Sequence, residues 1–343
     1  MKAAVMVKPR EITIEEREIP QIKEDEVLIK VRHCGICGSD IHYYEHGRIG
    51  DFIVENPMVL GHEVAGEIVK IGDTVKNVKS GDLVAVEPGY TCGKCEFCRT
   101  GRYNLCPDVV FLATPPYDGA FAEYIKYPAE WVYKLPEQMD TIEGALIEPL
   151  CVGLHAVMQS GVKVGQSAVI LGAGCIGLCT LLALSSAGVK TVYVADVMEN
   201  RLDMARKFGA SECICVKEKD TVERVMELTD GQGVDLVFET AGNEVTARQT
   251  AELVKRGGSV VFVGMAANPV FTYDFGKLQN KEAKINTVFR YRNLYETAIR
   301  MVVENSLPLK GIVTDTYSFA EVGKALEDSI NCRVRMVKSV VEF

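Results

Sequence analysis

The sequence lacks any block of basic residues. Its 343 residues contain 38 Lys and Arg against 47 Asp and Glu, which gives a formal net charge of −9. Proteins that bind nucleic acids or anionic membranes through electrostatics carry clustered cations, so we expect neither kind of partner. An anionic cofactor must then be held by local dipoles and a few cations.

The sequence also shows no targeting segment, no internal repeat and no low-complexity linker. The apolar start over residues 3–7 is interrupted by Lys8 and is too short for a signal-peptide core. The uncharged run over residues 164–189 contains several glycines and predicts a strand, a turn and a helix, not a membrane span. We therefore expect a cytoplasmic protein with reduced thiols, in which the 12 cysteines favour metal binding over disulfides.

The chain is too long for one compact core and predicts two domains. Its first third is β-rich, whereas strands and helices alternate from about residue 167, which is typical of a doubly wound parallel sheet. The apolar C-terminal segment 334–343 predicts a strand that pairs with the β-rich region. We expect a β-rich domain over residues 1–149 and 289–343, with an α/β nucleotide-binding domain inserted over residues 150–288.

A glycine-rich turn follows the first predicted strand of the α/β region. Glycine at the first and third positions of this turn allows a tight bend and a close approach of a pyrophosphate, and the sixth lets the helix pack on the strand. The helix that follows offers its N-terminal N–H groups to phosphates. The turn consists of Gly172, Ala173, Gly174, Cys175, Ile176 and Gly177. Such a turn alone is weak evidence, because glycine-rich turns also form for packing.

An acid at the end of the next predicted strand strengthens the nucleotide prediction. Asp196 lies 19 residues after Gly177, where a carboxylate binds the ribose hydroxyls of a dinucleotide. The same carboxylate repels a 2′-phosphate, so NAD is favoured over NADP. Arg201 is a cation nearby, and we expect it to flank the adenine or to be a solvated charge in the first turn of a helix.

Three side chains in the β-rich region form a donor set that zinc accepts. Cys37, His62 and Glu63 offer a thiolate, an imidazole and a carboxylate, and three protein ligands leave one position open for water or substrate. Glu148 is an acid in an otherwise apolar run, a costly placement unless it contacts a metal, a cation or water. Spacing alone does not bring these residues together: a core thiol, a capping histidine and a surface acid explain the first three equally well.

Four further cysteines, Cys92, Cys95, Cys98 and Cys106, have the spacing C-x2-C-x2-C-x7-C. Four thiolates at this spacing can close a tetrahedron around a structural zinc. An iron–sulfur cluster is the rival, although the fourth cysteine of bacterial ferredoxins follows sooner. Free or disulfide-bonded cysteines are the third possibility.

Gly35-Ile-Cys-Gly-Ser-Asp40, Gly61-His-Glu63 and the glycine-rich turn together resemble the zinc-containing medium-chain alcohol dehydrogenases, and the resemblance covers essentially the whole chain. Within that family the chain is most similar to the polyol (sorbitol) dehydrogenases. The strings that carry this second resemblance are Ala113-Thr-Pro-Pro116 with Asp118-Gly119, Ala145-Leu-Ile-Glu-Pro-Leu150 with Val152-Gly153, and Val288-Phe-Arg-Tyr291. The family resemblance implies a GroES-like catalytic domain, with a structural zinc lobe at about residues 90–107, and a Rossmann domain.

The resemblance also assigns roles to individual residues. Cys37, His62 and Glu63 match the catalytic zinc ligands, and Glu148 matches an acid that contacts zinc directly or through its water. Ser39 and His42 resemble a proton relay. Positions matching the substrate pocket are Tyr43, Phe111, Thr114, Glu148, Arg290 and Tyr291. Positions matching the surroundings of the nicotinamide are Val263, Gly264, Met265, Val288, Phe289 and Arg290.

The resemblance therefore implies an enzyme that transfers a hydride from a secondary hydroxyl of a small polyol to NAD and yields a ketose. A homotetramer, or otherwise a dimer, is the implied assembly. Several alternatives stay open. Arg290 can bind a carboxylate as well as a hydroxyl, which keeps a sugar acid such as idonate or galactonate possible, and a threonine-type dehydrogenase shares several motifs. A zinc-stabilised nucleotide-binding regulator is the alternative without catalysis. His42 can be an ordinary surface histidine, and Phe111 and Tyr291 can be core residues.

Overall fold

The computed structural model describes residues 1–266, 270–332 and 334–343. These residues form two compact units. The first unit contains residues 1–148, 295–304 and 309–343, and the second contains residues 149–294 and 305–308. The unit boundaries at Pro149 and Tyr295 lie near the expected residues 150 and 289, whose domain assignment stays a prediction.

The first unit is built mainly from strands. Its N-terminal part contains β1 (Lys2–Lys8), β2 (Glu11–Glu16), β3 (Glu26–Ile36), β4 (Arg48–Ile49), β5 (Phe52–Ile53), β6 (Met58–Val59), β7 (Glu63–Ile71), β8 (Leu83–Val86), β9 (Gly89–Tyr90), β10 (Val110–Phe111), β11 (Tyr124–Pro128) and β12 (Val132–Lys134). Its helices there are α1 (Gly38–His46), α2 (Glu96–Arg99) and the beginning of α3 (Thr141–Gln159), with 3-10 turns at Tyr103–Leu105 and Ala129–Trp131.

The second unit follows with alternating strands and helices. Its elements are β13 (Ser167–Leu171), α4 (Cys175–Ser186), β14 (Thr191–Asp196), α5 (Glu199–Lys207), β15 (Glu212–Cys215), α6 (Thr221–Leu228), β16 (Val234–Glu239), α7 (Glu244–Leu253), β17 (Val254–Phe262), α8 (Phe275–Lys281) and β18 (Lys284–Thr287). The chain then returns to the first unit with α9 (Tyr295–Glu304), β19 (Asp315–Ser318), α10 (Val322–Asn331) and β20 (Ser339–Glu342), and with 3-10 turns at Leu309–Ile312 and Phe319–Glu321.

The main sheet of the first unit has the strand order β12-β8-β7-β3-β20-β19, and β11 also pairs with β3. β3 lies inside this sheet, and eight of its eleven residues are buried. It pairs antiparallel with β7, and also with β20, which is the pairing predicted for the C-terminal segment. The sheet therefore brings residues from two distant parts of the sequence, the start of β7 and the start of β20, next to the end of β3.

The second unit is a parallel sheet in the order β15-β14-β13-β16-β17-β18. The strand order reverses at β13, which has β14 on one side and β16 on the other. In open α/β sheets a ligand crevice forms at such a point, outside the carboxyl ends of the strands. The expected fold class, a doubly wound parallel sheet with a β-rich domain, is confirmed.

Two apolar stretches raise the question of a membrane span. The uncharged run over residues 164–189 forms β13 and α4 with a turn between them, as its glycines predict. Among the described residues, α3 alone is long and apolar enough to cross a membrane, and 78% of its most apolar window is buried inside the protein. A core helix of this kind passes the same test of length and composition.

Candidate functional site

Cys37 lies at the point where β3 ends and α1 begins. Its backbone is extended, with φ −91° and ψ 158°, and it is the N-cap residue of α1. A cysteine at this position has its backbone fixed by both a buried strand and a helix. The thiol is half-buried, so it remains within reach of a ligand.

His62 and Glu63 lie at the start of β7 and are 6% and 1% exposed. The antiparallel register of β3 and β7 places Glu63 opposite Gly35, two residues before Cys37. One donor atom from each of Cys37, His62 and Glu63 lies within 4.8 Å of the other two. A sulfur, a nitrogen and an oxygen at this mutual distance fit a single zinc ion.

Asp40 is a buried acid that links the two segments carrying these donors. Its Oδ2 accepts the N–H of Cys37 at 2.9 Å, and its Oδ1 accepts the N–H of Gly61 at 2.9 Å. The same Oδ1 lies 3.6 Å from His62 Nδ1. Burial would raise the pKa of Asp40, but His62 and the two backbone N–H groups outweigh it and lower the pKa. Asp40 therefore orients His62, as carboxylates commonly do for zinc-binding histidines.

Glu148 is buried in α3, at 5% exposure. Among the described residues, the donor atoms of Cys37, His62 and Glu63 lie close to one another. Glu148 does not belong to this group. Contact between Glu148 and a zinc ion through water stays a prediction, and direct binding is not favoured by this geometry.

The four clustered cysteines form a second donor set. Sγ distances are 3.4 Å for Cys95–Cys98, 3.6 Å for Cys92–Cys106 and 4.0 Å for Cys92–Cys98. A tetrahedral zinc with Zn–S bonds of about 2.3 Å sets its sulfurs about 3.8 Å apart. The observed distances fit that tetrahedron, whereas a multi-iron cluster separates its cysteine sulfurs by the width of the cluster. No cysteine of the described residues forms a disulfide.

The cysteine lobe, residues 90–107, is attached to the main sheet through Glu87. Tyr103 of the lobe donates its hydroxyl to Glu87 Oε1 at 2.6 Å, and Tyr133 of β12 donates to Oε2 at 3.0 Å. The Tyr103 ring also packs edge-on against Trp131, with centroids 5.0 Å apart. The pKa of Glu87 is raised to about 7, because the effect of burial and the smaller effect of the Glu148 charge outweigh the two tyrosine hydroxyls, which lower it.

We expect Glu87→Gln to flatten the pH dependence of stability. The pKa of Glu87 is higher in the folded than in the unfolded chain, so its stabilising contribution is complete at low pH and is lost as pH rises through about 7. The loss between pH 5.5 and pH 8 is about 2 kcal/mol of unfolding free energy. A glutamine can still pair with both tyrosines and does not ionise. Urea unfolding of both proteins at the two pH values measures the difference.

Glu137→Gln is the matched control, because Glu137 is an exposed acid of the same unit. It should leave the pH dependence of the wild type unchanged. An equal pH dependence in Glu87→Gln and the wild type would show that Glu87 does not titrate in this range.

The other predicted site residues of the first unit lie on α1 and after β9. Ser39 and His42 are half-buried and three positions apart on α1, so they share one face of that helix. Tyr43 is buried, as is Phe111, whose ring centroid lies 5.6 Å from that of His62. Phe111 therefore packs beside a candidate zinc ligand. The half-buried Thr114 follows in the same loop, where its N–H donates to the Phe111 carbonyl at 3.1 Å.

In the second unit the glycine-rich turn connects β13 to α4. Gly172 has φ +105°, a conformation that side chains rarely adopt, and a Cβ there would press on Ala241. A Cβ on Gly177 would collide with the carbonyl oxygen of Gly172, so helix and strand approach closely at this point. Gly174 is the N-cap residue of α4, with open space where a Cβ would be. The half-buried Cys175 and Ile176 open the helix, whose N-terminal N–H groups can hold a pyrophosphate.

Asp196 ends β14 and contacts this turn. Its Oδ2 accepts the N–H of Ala173 at 2.7 Å, and its Oδ1 accepts the N–H of Met198 at 2.8 Å. Arg201 lies on α5, with its NH1 4.0 Å from Asp196 Oδ2. Each carboxylate oxygen keeps a lone pair, which is what two ribose hydroxyls need.

The remaining predicted residues lie after β17 and β18. Val263 and Gly264 each donate a backbone N–H to the Glu239 carbonyl at 2.9 Å, and Val288 donates to the Phe262 carbonyl at 3.0 Å. Met265 and Phe289 are about half exposed, at 50% and 49%. Arg290 has φ +55° and stacks its guanidinium on the Phe289 ring at 4.9 Å, and Tyr291 is 3% exposed. The roles of these residues beside the cofactor and substrate stay predictions.

Two charged residues that matter for the metal centre were not predicted. Asp40 belongs to a string used for the resemblance, but nothing in the string shows which groups it contacts. Lys338 is 4% exposed and forms an ion pair with Glu63. A lysine inside the apolar segment 334–343 was a visible signal, of the same kind as the acid in the apolar run around Glu148.

Comparisons with known proteins cover nearly the whole chain. Residues 23–137 match the family described as alcohol dehydrogenase GroES-like domain, and residues 175–304 match the family described as zinc-binding dehydrogenase. Sorbitol dehydrogenase of Bacillus subtilis is 44% identical over 341 residues, which covers 99% of this chain and 97% of that protein. D-xylulose reductase of Saccharomyces cerevisiae is 40% identical over 347 residues, with coverage of 99% and 97%.

Among solved structures, an oxidoreductase/dehydrogenase of unknown specificity from Escherichia coli superposes with a TM-score of 0.96 at 44% identity. The match covers 100% of this chain and 99% of that one.

Proposed function

Because the chain belongs to the zinc-containing medium-chain alcohol dehydrogenases, we propose that it transfers a hydride from a secondary hydroxyl of a polyol to NAD⁺ and yields a ketose. The family resemblance drawn from the sequence is confirmed. The observation that carries the proposal is the convergence of one donor atom each from Cys37, His62 and Glu63 within 4.8 Å. The similarity to a sorbitol dehydrogenase and a D-xylulose reductase supports polyols as the substrate class.

The proposed reaction assigns distinct tasks to the protein and to its cofactors. Zinc, when bound, would supply the polarisation of the substrate hydroxyl, and NAD⁺ would supply the hydride acceptor. Cys37, His62 and Glu63 would hold the metal, and Asp40 keeps His62 in its orientation. Phe111, packed beside His62, excludes water from one side of the metal centre.

The hydroxyl proton needs a path to solvent. Ser39 Oγ and the His42 ring are the groups that we propose for this transfer, since they share one face of α1 and α1 begins directly after Cys37. A hydroxyl can pass a proton while accepting another, and an imidazole titrates near neutral pH. Tyr43, Thr114, Arg290 and Tyr291 are the proposed partners of the substrate's other hydroxyls.

A substrate panel tests the proposal. With purified protein and NAD⁺, we expect kcat/KM for xylitol or sorbitol to exceed that for L-idonate, D-galactonate and L-threonine by about tenfold or more, because a pocket built for hydroxyls discriminates strongly. A ketose should accumulate in proportion to NADH. A clear preference for an acid would assign Arg290 to a carboxylate, and a preference for L-threonine would favour the amino-acid alternative.

Location and assembly are further parts of the proposal. We infer a cytoplasmic enzyme, which fits the reduced cysteines that both proposed zinc sites need. A homotetramer, or otherwise a dimer, is the assembly implied by the resemblance. Light scattering of the purified protein would separate these from a monomer.

A further inference from the structure

Lys338 is a buried lysine next to a proposed zinc ligand. Its side chain is 3% exposed and forms an ion pair with Glu63 Oε2, whose own side chain is 1% exposed. The same ammonium donates a hydrogen bond to the carbonyl of Ile36 at 2.9 Å. Ile36 directly precedes Cys37, so one ammonium contacts the segments that carry two of the three proposed ligands.

The backbone fixes Lys338 at this place. Its carbonyl accepts the N–H of Thr314 at 2.9 Å, and the next residue, Ser339, pairs with Ile36 across the β20–β3 ladder. The side chain therefore starts from a rigid sheet, which holds its charged end in one place. Lysine is almost never fully buried without a partner that compensates its charge.

Gly35 leaves the space in which these groups meet. A Cβ at this position would collide with Glu63 Oε2 and press on Lys338 Cε. Gly35 has no positive φ that would require glycine, so the close approach of Glu63 and Lys338 is the reason why a side chain does not fit here.

We propose that Lys338 is a positioning residue for the catalytic metal, because its ammonium holds the Glu63 carboxylate and the peptide before Cys37 in the relative placement that the metal needs. Asp40 performs the corresponding task for Cys37 and His62: it accepts the N–H groups of Cys37 and Gly61, and its Oδ1 lies beside His62 Nδ1. Lys338 and Asp40 thus connect the end of β3 to the start of β7 by two independent charged contacts. This inference rests on the proposed zinc site and adds to it a residue from the C-terminal segment.

The competing explanation is that the Lys338–Glu63 ion pair only stabilises the fold. Retention of zinc distinguishes this explanation from a role in positioning the metal ligand. The wild type should hold two zinc ions per chain, one in the cysteine lobe and one at Cys37, His62 and Glu63. Lys338→Met removes the ammonium at nearly constant volume. We expect it to lose the second zinc to a chelator about tenfold to a hundredfold faster, the usual effect of removing a group that orients a metal ligand. The lobe zinc, measured in the same sample, should be released at the wild-type rate.

Lys310→Met is the matched control. Lys310 also forms an ion pair with an acid of the first unit, Asp140, but its side chain is 55% exposed. This variant should retain both zinc ions at the wild-type rates.

Gly35→Ala provides an independent variant that keeps the ammonium. The added methyl group displaces Glu63 or Lys338, so it should accelerate release of the same zinc and leave the lobe zinc in place. Cobalt substituted into the second site reports the donor geometry directly, and its visible absorption spectrum should change in both Lys338→Met and Gly35→Ala.

The outcomes are distinct. Unchanged zinc release and an unchanged cobalt spectrum in Lys338→Met overturn the inference, even if the melting temperature falls, because the pair is then only structural. If Lys338→Met does not fold, Gly35→Ala decides in the same way. If the wild type holds only the lobe zinc, both the proposed function and this inference are overturned. If the wild type holds two zinc ions and oxidises polyols, the proposed function stands. The zinc release rates of the variants then decide on this inference alone.

Discussion

Cys37→Ser should lower kcat/KM for the best polyol by about a thousandfold or more and leave one zinc ion per chain. Zinc polarisation of the reacting oxygen contributes several kcal/mol to the transition state, and each ~1.4 kcal/mol is a factor of ten in rate. Serine is a poor zinc ligand at neutral pH but a good N-cap residue. Because Cys37 is the N-cap residue of α1, the substitution removes the donor without weakening the helix. Elemental analysis and steady-state kinetics measure the two effects.

Cys34→Ala is the control for this experiment. Cys34 lies three residues earlier on β3 and is completely buried, and burial raises the pKa of its thiol well above the usual value, with the charges of Asp40 and Glu63 adding to the effect. A thiol that stays protonated is not a zinc ligand. Cys34→Ala should therefore retain both zinc ions. Wild-type activity in Cys37→Ser would refute the assignment of the catalytic metal to this site.

The second unit was largely predictable because its signals are local. The strand, turn and helix expected over residues 164–189 form β13 and α4, and the alternation expected from about residue 167 continues through β18. Short apolar runs bounded by glycine and charged residues carry this information within a few positions. The collision that excludes a side chain at Gly177 involves Gly172 of the same short motif, whereas the contact of Gly172 with Ala241 comes from the segment after β16.

The metal centre of the first unit was not predictable from spacing, because it depends on strand register. Cys37 and Glu63 become neighbours because β3 and β7 pair with Gly35 opposite Glu63. A shift of that register by one residue would turn Glu63 to the other face of the sheet. Sequence spacing carries no information on such a pairing, so the motif strings and the family resemblance supplied what the residues themselves did not.

The residues of the first unit that sequence reasoning missed are buried charged residues. Glu87 and Lys338 lie within or beside an apolar stretch, Asp40 does not, and all three are buried and contact residues distant in sequence. The physical rule that a buried charge needs a partner identifies such residues as candidates. It does not identify the partner, because that depends on which strands become neighbours. Lys338, whose contacts exist only once β20 has paired with β3, is the clearest case.

Asp196→Ala should lower kcat/KM for NAD⁺ by about a hundredfold. A hydrogen bond to a charged group contributes about 1.5 to 3 kcal/mol, and the carboxylate is placed to accept two ribose hydroxyls. The loss should appear mainly in KM for the nucleotide, because the carboxylate contacts the ribose and not the reacting carbon. In the wild type the same charge should exclude NADP⁺, whose 2′-phosphate would lie against Asp196. Initial rates with NAD⁺ and NADP⁺ give both values.

The decisive quantity in that experiment is the ratio of kcat/KM with NAD⁺ to kcat/KM with NADP⁺. Asp196 also accepts the N–H groups of Ala173 and Met198, so its removal can weaken the turn itself. A weakened turn lowers the rates with both nucleotides by the same factor and leaves their ratio unchanged. Loss of a specific ribose contact, and of the repulsion toward the 2′-phosphate, makes the ratio fall. Asp203→Ala, which removes an exposed acid from α5, should leave the ratio unchanged. If the wild type prefers NADP⁺, Arg201 and not Asp196 determines the specificity, because only a cation at that edge can favour the 2′-phosphate.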